Sequence, residues 1–132
     1  MSQSTIVLDT SAYAAFFRGE QSVKKRLATS SRILIPYVVL AELHFGFYRG
    51  NQAQENLKNL STFMRSPRVE VIYPTPQTAQ IYGEVAMELA NAGTPIQQND
   101  IWIAALCKER GVPLLSLDEG FQNILGLNAY TF

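Results

Sequence analysis

One cysteine, one histidine and one tryptophan in 132 residues leave little room for several kinds of chemistry. The lone Cys107 cannot form an internal disulfide, so the chain must hold together by its core, as suits a reducing cytoplasm. His44 is far from Cys107 in sequence, and no zinc site of the His/Cys kind can be built from one of each. Neither sign of charge is in excess, because eleven basic and eleven acidic residues cancel. That balance excludes the strong positive field of a protein that coats nucleic acid non-specifically. No apolar run approaches the roughly 18 residues of a membrane-spanning helix. Met1 to Thr5 lack the basic stretch and the following apolar segment of a secretory signal. A soluble, cytoplasmic protein without a membrane partner is expected. Repeats, low-complexity tracts and linkers rich in Pro, Gly or Ser are absent as well, so one domain over residues 1–132 is the expected organisation.

What is present is a core. Hydrophobic residues make up 47% of the chain, ample for burial and contrary to disorder. Thr5–Leu8 is a β-branched run that ends at Asp9, the pattern of a buried strand. A helix capped by Thr10 or Ser11 should follow and end at Gly19, with a second over Val23–Ala28. Arg32–Ile35 reads as the next strand, stopped by Pro36, and Tyr37–Tyr48 as a helix bounded by Pro36 and Gly50. Asn51 is the expected cap of a helix running to about Met64, and Val69–Tyr73 alternates like a strand. Gln77–Asn91 and Asp100–Arg110 repeat at helical spacing, each followed by a glycine. Val112–Leu117 is the fourth strand, and Asn128–Phe132 is expected to add an edge strand. Such alternation predicts an α/β fold, with a parallel sheet between two layers of helices. Sheets of this kind bind ligands beyond the carboxyl ends of their strands.

Four carboxylates fall where that edge should lie. Asp9 and Asp118 directly follow the first and fourth strands, although either could simply cap the next helix. Glu42 sits in Val38-Val39-Leu40-Ala41-Glu42-Leu43, apolar on nearly every side. A lone buried carboxylate costs several kcal/mol unless it is paired or coordinated; the plain alternative is a narrow exposed stripe. Asp100 opens the apolar helix Ile101–Leu106, where Asn99 could already serve as the cap and the helix dipole also favours an acid. Carboxylate oxygens suit hard divalent cations such as Mg²⁺ and Mn²⁺. Several of them around such ions can support water attack on a phosphodiester. Without a cation, four negative groups in one pocket would repel one another and the substrate.

Four segments in order resemble the PIN-domain ribonucleases, most closely the VapC-type toxins. They are Ile6-Val7-Leu8-Asp9-Thr10-Ser11, Leu40-Ala41-Glu42-Leu43-His44-Phe45-Gly46, Gln98-Asn99-Asp100-Ile101-Trp102-Ile103-Ala104-Ala105, and Leu115-Ser116-Leu117-Asp118-Glu119-Gly120-Phe121. The resemblance covers nearly the whole chain. It implies a compact α/β/α sandwich in which Asp9, Glu42, Asp100 and Asp118 are the acidic metal-site residues. Asp9 and Asp100 would anchor the principal Mg²⁺ or Mn²⁺, Glu42 would orient water or complete the coordination, and Asp118 would assist or hold a second ion. Ser116, with Thr10 or Ser11, would supply supporting hydroxyls. The chain departs from the pattern at Leu117, where relatives often carry Asn or Arg, so a polar contact is lost there. The family further implies RNA cleavage leaving a 5′-phosphate and a 3′-hydroxyl, often in tRNA or rRNA, and restraint by a small antitoxin protein.

Other readings differ in class. A phospho-receiver domain also gathers acids at the carboxyl edge, but it needs a late lysine after a strand, where Ser116-Leu117-Asp118 stands here. A PIN-like module that binds nucleic acid or protein without cutting would not need all four acids. His44 lies about 200° around the helix from Glu42 and cannot share its face. Lys24-Lys25-Arg26, with Arg18 and Arg32 nearby, reads more simply as a solvated face than as an RNA grip. Trp102 and Cys107 are expected in the core. The helix Tyr37–Tyr48 leaves little polar surface on any side, which predicts a homodimer whose interface includes it; the alternative is cover from the helix Asn51–Met64 that follows.

Overall fold

In a computed structural model that describes residues 4–132, Thr5–Leu8 forms β1 and is buried from Ile6 onward. The reading of Met1–Gln3 lies outside the described residues. Asp9 then turns the chain into α1 (Thr10–Phe17), and its own carboxylate accepts the Thr10 N–H. The cap is therefore Asp9 rather than Thr10 or Ser11. An acid one residue nearer the strand reaches the first free N–H, which leaves both hydroxyls for other partners. Helix α2 (Gln21–Ala28) leads to β2 (Arg32–Pro36), α3 (Tyr37–Arg49) and α4 (Ala53–Met64). Gln52, not Asn51, precedes α4, and it caps without a side-chain bond. After β3 (Val69–Ile72), the capping box of Thr75 and Thr78 starts α5 (Pro76–Asn91), and Pro76 occupies the first turn, where a missing N–H does no harm.

Helix α6 begins at Gln98, two residues before the expected start, and runs to Arg110. Asn99 is thus inside the first turn and caps nothing, contrary to the sequence reading. Gly111 ends α6 at φ 64°, a left-handed position that glycine adopts without penalty. The fourth strand is far shorter than expected: β4 covers only Leu114–Leu115, and β5 only Ala129–Tyr130. Pro113 cannot donate a ladder bond, and beyond Ser116, whose N–H still donates to Tyr130 O at 3.0 Å, the Asp118 N–H is taken by the Ser116 hydroxyl. A short 3₁₀ helix at Glu119–Asn123, not foreseen, joins the two strands.

All five strands are parallel, in the order β3-β2-β1-β4-β5. The first two crossovers step one way across the sheet and the third steps back past β1. Right-handed connections then put helices on both faces, as the sequence predicted. The strands form the middle of a core that includes Val7, Leu8, Leu34, Ile35, Val39, Ile103 and Leu106. Cys107 is buried there, and burial pushes its thiol up. Trp102 is half-buried against Tyr82, with ring centroids 4.5 Å apart. Both residues thus pack as the sequence suggested. Between β1 and β4 the strand order reverses direction, and an open α/β sheet leaves its ligand crevice at such a point.

Candidate active site

Asp9 leaves β1 and Ser116 leaves β4 on the two sides of that crevice. Asp9 is only 6% exposed, so its charge must be met by hydrogen bonds. The Thr10 N–H donates to its Oδ1 at 2.7 Å, while the hydroxyls of Ser116 (2.5 Å) and Ser11 (3.2 Å) donate to Oδ2. Burial pushes its carboxyl above the usual range, and these bonds only partly pull it back. The same two serines grip the loop beyond β4. Ser11 Oγ accepts from Leu117 N at 2.9 Å, and Ser116 Oγ from Asp118 N at 2.9 Å. The loop is therefore tied by its backbone, and the exposed Leu117 side chain takes no part.

Glu42 sits one turn into α3, half-buried, and the Thr10 hydroxyl donates to its Oε1 at 2.6 Å. It is neither a sealed carboxylate nor a member of a free polar stripe, and its charge acts on Asp100. Asp100 occupies the first turn of α6, also half-buried. Burial first, then the charges of Asp9, Asp118 and Glu42, push it up to about 7. Four carboxylates that no short stretch of chain could gather thus act on one another. Asp118 is the exposed member, and it also caps the 3₁₀ helix by accepting from Gly120 N at 2.9 Å. Gly120 was not singled out from the sequence. A Cβ there would stand 3.1 Å from Asp118 Oδ1 and 3.3 Å from Ile96, so any larger residue would crowd the acid.

Among the described residues no three His, Cys, Asp or Glu side chains are drawn tightly enough to hold a metal ion as they stand. The acids face one another at a looser spacing, as like charges do. The donor set nevertheless fits a hard divalent cation: carboxylates and hydroxyls, with no sulfur or imidazole among them. His44 is on the outer side of α3 beside Phe47 and Tyr48 and does not join the site. Nor does the basic run: Lys24 and Lys25 are exposed on α2, and Arg26 stacks over the Tyr130 ring at 4.1 Å. Arg32 pairs with Glu70 at 2.9 Å at the amino end of β2.

A crevice lined by acids at the switch point of a small parallel sheet marks a class of nuclease fold. The PIN domain family matches residues 6–126, and this chain belongs to that family. Among its relatives, Ribonuclease VapC5 of Mycobacterium tuberculosis is 28% identical over 91% of this chain and 87% of its own length. Ribonuclease VapC1 of Haemophilus influenzae is 30% identical, over 60% of this chain and 58% of that protein. In three dimensions the chain is similar to one in VapBC2 from Rickettsia felis, bound to a DNA fragment of its promoter. That match has TM-score 0.87 at 26% identity and covers 97% of this chain and 98% of the other. A chain of DNA-bound VapBC from Salmonella typhimurium matches with TM-score 0.86 at 25% identity, over 98% of both. The α/β/α sandwich anticipated from the strand–helix alternation is thus the observed fold.

Proposed function

We propose that this chain is an endoribonuclease dependent on Mg²⁺ or Mn²⁺ and the toxin of a toxin–antitoxin pair. The observation that carries the reading is the meeting of Asp9, Glu42, Asp100 and Asp118 at one crevice of a PIN fold, close enough for the other three to act on Asp100. Asp9 and Asp100 would hold the principal ion, Asp118 would assist or hold a second, and Glu42 would orient the attacking water or complete the coordination. When bound, the cation offsets charge developing on the phosphodiester and acidifies the water. The chain's own part is orientation. Ser11, Ser116 and the Thr10 N–H point Asp9 into the crevice, and the Thr10 hydroxyl does the same for Glu42. Water adds to phosphorus, the bond to the 3′-oxygen breaks, and the products are a 5′-phosphate and a 3′-hydroxyl.

An antitoxin needs an apolar seat on this chain. A cleft of about 200 Å³ between α1, α3 and α4, lined by Tyr13, Phe17, Leu43 and Phe47, offers one. At its wall the buried Tyr13 hydroxyl has no hydrogen-bond partner among the described residues, and burial pushes it up to about 12. The decisive experiment is cleavage of cellular RNA, tRNA and rRNA included, by purified protein. Activity lost to EDTA and restored by Mn²⁺ is expected. RNA bound but left uncut under every metal would make the chain a non-cleaving PIN-like module.

A further inference from the structure

The carboxyl edge of the sheet carries a second feature that the acidic crevice does not use. Pro36 ends β2 and Ile72 ends β3, and the two are register partners. The residue after each is a tyrosine. Tyr37 and Tyr73 therefore stand side by side, with ring centroids 6.2 Å apart and planes only 22° from parallel. Both are in water, at 39% and 61% exposure. The register of β1 with β2 (Val7 opposite Leu34) brings Asp9 level with Pro36. Backbones on adjacent strands lie about 5 Å apart. Tyr37 thus stands one strand from Asp9, and Tyr73 two.

We propose that Tyr37 and Tyr73 form a stacking platform for an unpaired base of a single-stranded RNA whose phosphate lies at the acidic crevice. This rests on the ribonuclease reading and names how its substrate is held. The need for such a platform follows from where the cations are. Helices α1, α3 and α6 all start at the carboxyl edge, and their bases fall at the far ends: Arg18, Arg49, and Lys108 with Arg110. Arg32 and Arg68 likewise lie at the amino ends of β2 and β3. At the crevice itself no arginine or lysine is among the groups that act on Asp9 or Asp100, although the far end of α6 comes round to Thr75, two residues beyond Tyr73. Grip there has to come from something other than phosphate neutralisation. Aromatic faces supply it, since every base has a face to stack and the contact is indifferent to charge.

A second copy of the chain is the competing occupant. The other exposed aromatics of α3, Phe45 and Tyr48, lie eight and eleven residues further along the helix. At 1.5 Å per residue this is about 12 and 16 Å from Tyr37. They form a separate patch at the opposite end. Tyr37 pairs with Tyr73 and not with them.

A short single-stranded RNA carrying 2-aminopurine reports stacking directly, because that base loses fluorescence on an aromatic ring. Titrated in Ca²⁺, which offsets the charge of the crevice acids, wild-type protein should quench it. Tyr37→Leu/Tyr73→Leu should abolish the quench and weaken binding about ten-fold or more, while Tyr37→Phe/Tyr73→Phe should keep both. With Mn²⁺, the leucine pair should raise KM for RNA far more than it lowers kcat. Absence of quenching in the wild type, or an unchanged quench and affinity in the leucine pair, would overturn the platform. So would light scattering that shows a dimer becoming a monomer on the same substitutions, for the rings would then belong to an interface between copies. These failures are distinct from that of the ribonuclease reading. Wild-type protein that never cleaves in Mn²⁺ removes the nuclease, yet loss of quench in the leucine pair would still establish the platform.

Discussion

Asp100 illustrates how one residue carries both a stability and a functional signature. Its carboxyl rises from an ordinary 3.8 to about 7 in the folded chain through burial, then through the charges of the other three acids. The folded state therefore holds that proton more tightly than the unfolded one. Its contribution to stability is complete below about pH 4 and is lost as the pH rises toward 7. Metal-free protein should melt at falling temperature across that window, and Asp100→Asn should flatten the dependence. A profile as steep in the mutant would detach the effect from this residue. Asp9→Asn and Asp100→Asn should each abolish RNA cleavage with circular dichroism unchanged, because an amide supplies oxygen without charge; near wild-type cleavage by either would remove them from the metal site. Ser116→Ala leaves the Asp9 carboxylate one strong bond short. By the usual effect of groups that orient metal ligands, activity should fall about 10–100-fold, and Ser116→Thr should recover part of it.

At the scale of elements, the joint between α5 and α6 matters because α6 carries Asp100. Thr75 and Thr78 cap α5, and both donate to the Glu109 carboxylate near the end of α6. One polar cluster thus pins two helices. Thr78 is fully buried, so Thr78→Val strands an N–H partner and a carboxylate together. Thr75→Ala removes the cap and a solvent-exposed bond to Glu109 but strands no buried group, and about 1 kcal/mol of stability should go with it. Differential scanning calorimetry should rank the valine variant as the more damaging, and the reverse order would show that the cluster does not act as a joint. Neither should alter kcat at temperatures well below melting.

For the whole molecule the open question in the sequence was what covers α3. The structure divides the helix. Val38, Val39 and Leu43 are buried, and Leu40 and Phe47 pack at the margin of the core, so α4 does cover part of the expected patch. Phe45 and Tyr48 stay 63% and 66% exposed. We propose that this remainder joins two copies of the chain. Light scattering at micromolar concentration should give about twice 14.7 kDa, and Phe45→Glu should halve it; a wild-type mass of one chain would exclude the dimer. Expression of the chain alone should arrest bacterial growth, with relief from a small co-expressed partner protein. Harmless overexpression of folded protein would count against the toxin role.

The order of strands and helices, the parallel sheet and the places of Asp9 and Asp118 just after their strands were legible in the chain because they rest on local rules. Apolar periodicity sets each element, glycine marks its end, and an acid after a strand must emerge at the carboxyl edge. Local rules failed where two residues could do one task. Thr10 and Ser11 were credible caps until Asp9 took the Thr10 N–H and freed both hydroxyls for Glu42 and Asp9. Asn99 lost its role when α6 gained two residues at its start. The length of β4 could not be read either, since Ser116 keeps a cross-strand bond to Tyr130 while its hydroxyl ties the chain to Asp9 and Asp118 and ends the strand. What tertiary structure alone decided is adjacency across long stretches of chain: Ser116 against Asp9, Gly120 under Asp118, Tyr37 beside Tyr73. Such pairs depend on strand order and register, which follow from how the whole core packs, and no window of sequence contains both partners.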